Sequence, residues 1–85
     1  MAHNDILTEV HTLDRDAYIE EKLERKLAHD REILGTLRRI RAPKDIIRCG
    51  ERVLRSTKKR YDAIVKKNEA TAFRILSIVF GGTKN

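Results

Sequence analysis

Eighty-five residues with a single cysteine make one small domain, with no internal disulfide and little surface to bury. The net charge of +6 and the 38% share of charged residues point away from a self-sufficient apolar globule and toward an anionic partner. No apolar run nears the ~20 residues of a membrane span. No Cys/His set has metal-ligand spacing. A chain this small needs long helices or a second copy to be stable, so at least a homodimer is expected.

Residues 1–12 hold Asp5 and Glu9 and no Lys or Arg. They lack the basic and apolar regions of a signal peptide, and the lone Cys49 fits a reducing compartment, so a cytoplasmic protein is expected. This stretch reads as an arm or a short helical turn. Helix one then covers about residues 13–41. Asp14 and Asp16 suit its positive N-terminal end, and Arg38, Arg39 and Arg41 suit its C-terminal end. At about 100° per residue, Ile19, Leu23, Leu27, Leu34 and Leu37 share one line. Asp30 interrupts that line, so either it reaches a basic partner or the stripe rotates there. Gly35 weakens the helix by roughly 1 kcal/mol relative to Ala, which predicts close helix approach or a kink.

Pro43 is the only proline and divides the chain. The residue before it is pushed out of helical geometry, so helix one ends near Ile40 or Arg41. Asp45 can cap a second helix, though Pro43-Lys44 already offers a start. Helix two covers about residues 44–80 and stops at Gly81-Gly82, leaving 81–85 as a tail. One broad face carries Ile46, Val53, Leu54, Thr57, Tyr61, Ile64, Thr71, Ala72, Ile75 and Val79. Gly50 on this face would let another backbone come close. Asn68 there either fixes register between partner helices or lies half-exposed near a bundle end. The fold class is therefore all-α, a two-helix antiparallel hairpin. A second copy would close it into a four-helix bundle. The apolar run at 74–80 would join that contact.

The basic charge belongs to the second half. Residues 42–85 carry eleven Lys or Arg and four acids, whereas residues 13–41 carry eight and seven. Taking Arg48 as 0°, Arg52, Arg55, Lys59 and Lys66 all fall within a band about 60° wide, opposite the apolar face. The band runs for about 27 Å, and Arg74 could lengthen it. Lys67, Arg60 and Lys58 flank it, and Asp62 sits at its edge. A solvated helix face usually mixes signs to gain i,i+4 pairs, which this one scarcely does. A straight basic stripe suits a regular polyanion. Its long, flat setting favours reading the shape of double-stranded RNA over probing a DNA groove. Single-strand binding needs exposed aromatics, and only Phe73 lies near the band.

The turn "AP..I.R" at residues 42–48 is followed by Lys59, Ile64, Lys66, Arg74 and Phe80. Over residues 42–80 this pattern resembles the small RNA-silencing suppressors of nodaviruses. Helix one matches only in apolar spacing. The resemblance implies a homodimeric four-helix bundle lying along one face of double-stranded RNA. It also implies shielding of long duplexes from dicing and of short duplexes from loading, with Arg48, Lys59 and Lys66 as RNA contacts. The chain departs from that family in its longer N-terminal arm and short tail.

The other constellations read as structure. His3, His11 and His29 have no metal spacing, and Glu20, Glu21 and Glu24 sit among Lys22, Arg25 and Lys26 as local pairs. No catalytic residue, metal ligand, cofactor, small-molecule substrate or membrane contact is expected. The expected function is sequence-independent double-stranded RNA binding through Arg48, Arg52, Arg55, Lys59, Lys66 and Arg74. The competing expectation is a coiled-coil adaptor subunit whose stripe docks an acidic protein surface.

Overall fold

A computed structural model describes residues 2–81, and side chains from residue 6 onward. Met1 and the tail residues 82–85 lie outside the described residues. The chain is an all-α hairpin. Helix α1 (Ala2–Arg39) packs antiparallel against α2 (Lys44–Leu76), which ends in a π-helical turn (Ser77–Gly81). The molecule is a rod of 62 × 19 × 15 Å.

The expected arm is a correction. Residues 2–12 continue α1 without a break. The physical reason is the length of α2, whose C-terminal half needs a partner across from it. Glu9 meets Arg74 at 3.2 Å, and Ile6 and Leu13 are half-buried along the same contact line. Asp16 consequently lies well inside α1 and is 2% exposed, not at a helix end.

The turn follows from two backbone constraints. Arg41 adopts φ 58°, and the Arg41 and Ala42 N–H groups donate back to the Arg38 and Leu37 carbonyls at 3.2 and 2.9 Å. This is the Schellman ending that glycine usually fills. Pro43 then stands at the cap of α2, and its carbonyl accepts from the Ile46 and Ile47 N–H groups. Asp45 lies inside the first turn, where its charge favours the helix dipole, and it is not the cap.

The seam between the helices is short of apolar burial. Leu27 and Leu34 are its buried apolar residues, beside Asp16, Asp30, Thr57, Asn68 and Thr71. All of these polar groups but Thr71, which donates to the Lys67 carbonyl of its own helix, cross-link the helices as rungs. Lys67 reaches Asp16 at 2.8 Å. Asn68 Nδ2 donates to Glu20 at 2.8 Å. The Thr57 hydroxyl donates to Asp30 at 2.7 Å, and Lys26 reaches the same carboxylate oxygen at 3.0 Å. Arg38 and Glu51 close the turn end at 3.0 Å. Asp30 thus meets a base on its own helix and a hydroxyl across the seam. Asn68 is buried and register-fixing, with Oδ1 accepting from no described group. Polar rungs that fit one alignment only make a slipped pairing expensive, because each would strand a buried polar group.

The glycines divide. A Cβ at Gly50 would stand 3.2 and 3.3 Å from the tips of Leu34 and Leu37, so the close neighbours are leucine side chains rather than a backbone. Gly35 has nothing within 4 Å and marks no close approach.

The rod leaves much apolar surface open. Its radius of gyration is 18.8 Å, against about 12 Å for a compact chain of this length. Its accessible surface is 6938 Å², against about 5,200 Å² for a folded monomer of this mass. Ile46, Val53 and Val79, expected in the core, are 45%, 42% and 47% exposed. Near the turn, Ile33, Leu37, Ile46, Cys49 and Val53 line an open groove of about 470 Å³. Among the described residues, no helix is long and apolar enough to cross a membrane.

Candidate nucleic-acid interface

Helix α2 is unbroken from Lys44 to Leu76, so the helical phase read along it holds over the whole basic stretch. Arg48, Arg52, Arg55, Lys59 and Lys66 are all exposed on its outer side. None of the five makes an ion pair with a described acid, although Glu51, Asp62 and Glu69 each stand three or four residues from members of the row; Glu51 instead meets Arg38 across the seam at 3.0 Å. Asp62 at the band's edge turns toward Lys58, at 3.9 Å.

Arg74 differs from the other five. Its guanidinium reaches Glu9 at 3.2 Å and the Thr71 hydroxyl at 3.2 Å. Its place is at the seam, a quarter-turn from the stripe, where it holds the N-terminal part of α1. Lys67 also leaves the flank of the band for the seam, where it pairs with Asp16. Two neighbours in sequence, Lys66 and Lys67, therefore have opposite surroundings.

The two sides of the stripe also differ. On one side of α2 lie Glu51, Asp62 and Glu69, with Lys58 among them. On the other lie Arg52, Ser56 and Arg60, which with Lys26 of α1 and Val53 and Thr57 line an open cleft of about 370 Å³. Lys26 is held beside the cleft by Asp30 at 3.0 Å and the Thr57 hydroxyl at 3.3 Å. Sequence reasoning missed Lys26 and gave Arg60 and Ser56 minor places. Helical phase alone puts Ser56 and Arg60 at about 80° and 120° from Arg48. What it lacks is the face that α1 turns toward them.

Two buried carboxyls carry shifted acidity. The Lys67 ammonium beside Asp16 holds that carboxyl below the ordinary carboxylate value, against the opposing effect of burial. The Thr57 hydroxyl, followed by Lys26, does the same for Asp30. Both groups are held ionised for structural pairing. Among the described residues, no three of His, Cys, Asp or Glu gather as a metal site. No protein-family model, curated protein or solved structure matches this chain.

Proposed function

We propose that this chain binds double-stranded RNA without sequence preference, as a homodimer, through the outer face of α2. In the cytoplasm it would suppress RNA silencing by shielding long and short duplexes, as the likeness of residues 42–80 to nodavirus suppressors implies. The observation that carries this reading is the row of five exposed cations without acid partners, at residues 48, 52, 55, 59 and 66. Such a row repels itself unless a partner supplies negative charge. Phosphates at regular spacing do so, and their neutralisation releases counterions. The surplus of exposed apolar surface along the rod supports the second copy, since a hairpin this thin cannot cover both long helices.

Gel shift of the purified protein on duplex RNA, duplex DNA and single-stranded RNA tests the reading. Duplex RNA is expected to be retained at moderate salt, with Arg48→Ala, Lys59→Ala and Lys66→Ala each weakening it and none dissociating the dimer. No retention by the parent protein, or affinity unchanged from the parent in all three variants, would sink the proposal. The open groove at the turn favours a second reading, an adaptor that docks a partner helix between Ile33 and Val53. Under that reading the purified protein should recover another protein in place of RNA.

A further inference from the structure

The stripe on α2 is one-dimensional, yet the unpaired charge does not stop at its edge. On the side away from Glu51, Asp62 and Glu69, the surface turns inward to the cleft between the helices. Arg52 and Arg60 stand two turns apart, about 12 Å along α2. The Ser56 hydroxyl lies between them, one turn from each. From α1, Lys26 lines the same cleft, with its ammonium held by the Thr57 hydroxyl at 3.3 Å. Three cations and a hydroxyl from two different helices thus converge on one concavity.

We propose that this cleft is a seat for a phosphate group, lined by Arg52, Ser56, Arg60 and Lys26, and that a polyanion on the stripe leans to this side of α2. The proposal rests on the nucleic-acid reading above and names a contact that the stripe alone does not contain. The chemistry matches a phosphodiester. Two guanidiniums supply charge-assisted donors in forked geometry. Ser56 adds a neutral donor, and Lys26, paired with Asp30, adds an ammonium N–H donor. Among the described residues no carboxylate lines the cleft; the acid nearest Lys26, Asp30, is occupied by Thr57 at 2.7 Å and Lys26 at 3.0 Å. Its Oδ2 is engaged in the seam and its charge is balanced by Lys26, so the cleft keeps the surplus of the two arginines. Arg52 and Arg60 make no ion pair with a described acid, so neither must give up a partner to receive the anion. Lys67 and Arg74, further along the same side, already have partners in Asp16 and Glu9. On this side of α2 the cations without an acid partner are therefore Arg52 and Arg60, at the cleft.

Two measurements test the seat on the full chain. The first is an amide and side-chain NMR titration with inorganic pyrophosphate. Shift changes should cluster at Lys26, Ser56 and Arg60, and changes spread evenly along the stripe would overturn the proposal. The second compares duplex RNA affinity of Arg60→Glu and Lys58→Glu, which make the same charge change on opposite sides of α2. Arg60→Glu should cost about tenfold more affinity than Lys58→Glu, with Arg60→Lys restoring most of it. Equal losses would show a general field effect and overturn the seat. Both sites are exposed, and far-UV circular dichroism with thermal melts checks that the fold persists. If the parent protein binds no duplex RNA while the pyrophosphate shifts cluster at the cleft, the seat stands and the duplex reading falls. If Arg60→Glu loses binding to phosphatidylserine vesicles and not to RNA, the seat belongs to a lipid headgroup and the assignment to nucleic acid is overturned.

Discussion

The seam and the outer face of α2 use the same residue types in opposite ways. At the seam each cation meets an acid: Lys67 meets Asp16, Lys26 meets Asp30, Arg38 meets Glu51 and Arg74 meets Glu9. On the outer face five cations meet none. The difference separates charge that holds the hairpin from charge that is left over. A pair that crosses the seam aligns two helices, and one within α1, such as Lys26–Asp30, still removes a buried group's need for water. A row of like charges on one face aligns nothing and costs stability through repulsion. Such a row does nothing for the pairing of α1 with α2.

The comparison can be broken most forcefully at the seam. Leu34→Ala removes one of the two buried leucines and should lower stability by about 2–5 kcal/mol. Urea unfolding at fixed protein concentration reads this loss, and fixed concentration matters if the chain self-associates. Asp30→Leu should cost less, about 1–3 kcal/mol, because it strands the buried Thr57 hydroxyl while the half-exposed Lys26 returns to water. A loss near zero would mean that the rung contributes nothing.

The acid limb sharpens the same point. Asp16 and Asp30 both have folded-state acidity displaced downward, by Lys67 and by Thr57 with Lys26. Their contribution is therefore present above the unfolded carboxylate value of about 3.9 and is lost as pH falls through the lower folded value. Asp16→Asn with Asp30→Asn should flatten the fall in melting temperature below about pH 4 relative to the parent chain.

At the outer face the effects on stability should be small and those on binding larger. Lys66→Ala should leave stability within about 0.5 kcal/mol. It should also reduce the slope of log affinity for duplex RNA against log salt by about one phosphate's worth. An unchanged slope would return Lys66 to the solvated surface. At the turn, Arg41→Gly relieves the left-handed backbone and should raise stability by about 0.5–1 kcal/mol in thermal melts. Gly50→Ala should be nearest to neutral, since a helix gain of up to about 1 kcal/mol opposes the push on Leu34 and Leu37.

How much of this was legible beforehand differs by region. The all-α hairpin, the break before Pro43 and the phase of the stripe all follow from one helix's own periodicity. Arg48 through Lys66 needed nothing else. Whatever depended on the partner helix was not legible. Asp16 reads as a charge near a helix start until α1 is known to begin at Ala2. Arg74 and Lys67 lie within reach of the stripe on a wheel, and only the antiparallel alignment delivers them to Glu9 and Asp16. Lys26 was invisible to the cleft for the same reason. Ile46 and Val53 follow the apolar pattern faithfully, but a two-helix rod has no third surface to cover them.

The short link at residues 40–43 has a topological consequence. Two long helices joined by a tight turn are a standing invitation to straighten, each half then pairing with the other half of a second chain. Pro43 blocks the simplest route. It has no N–H to donate and disfavours helix at Ala42, so α1 and α2 cannot fuse into one continuous rod. The Arg41 and Ala42 hydrogen bonds fold the chain back on itself at the same point. The turn thus acts against strand exchange between copies and keeps each basic stripe on the same chain as the helix that supports it.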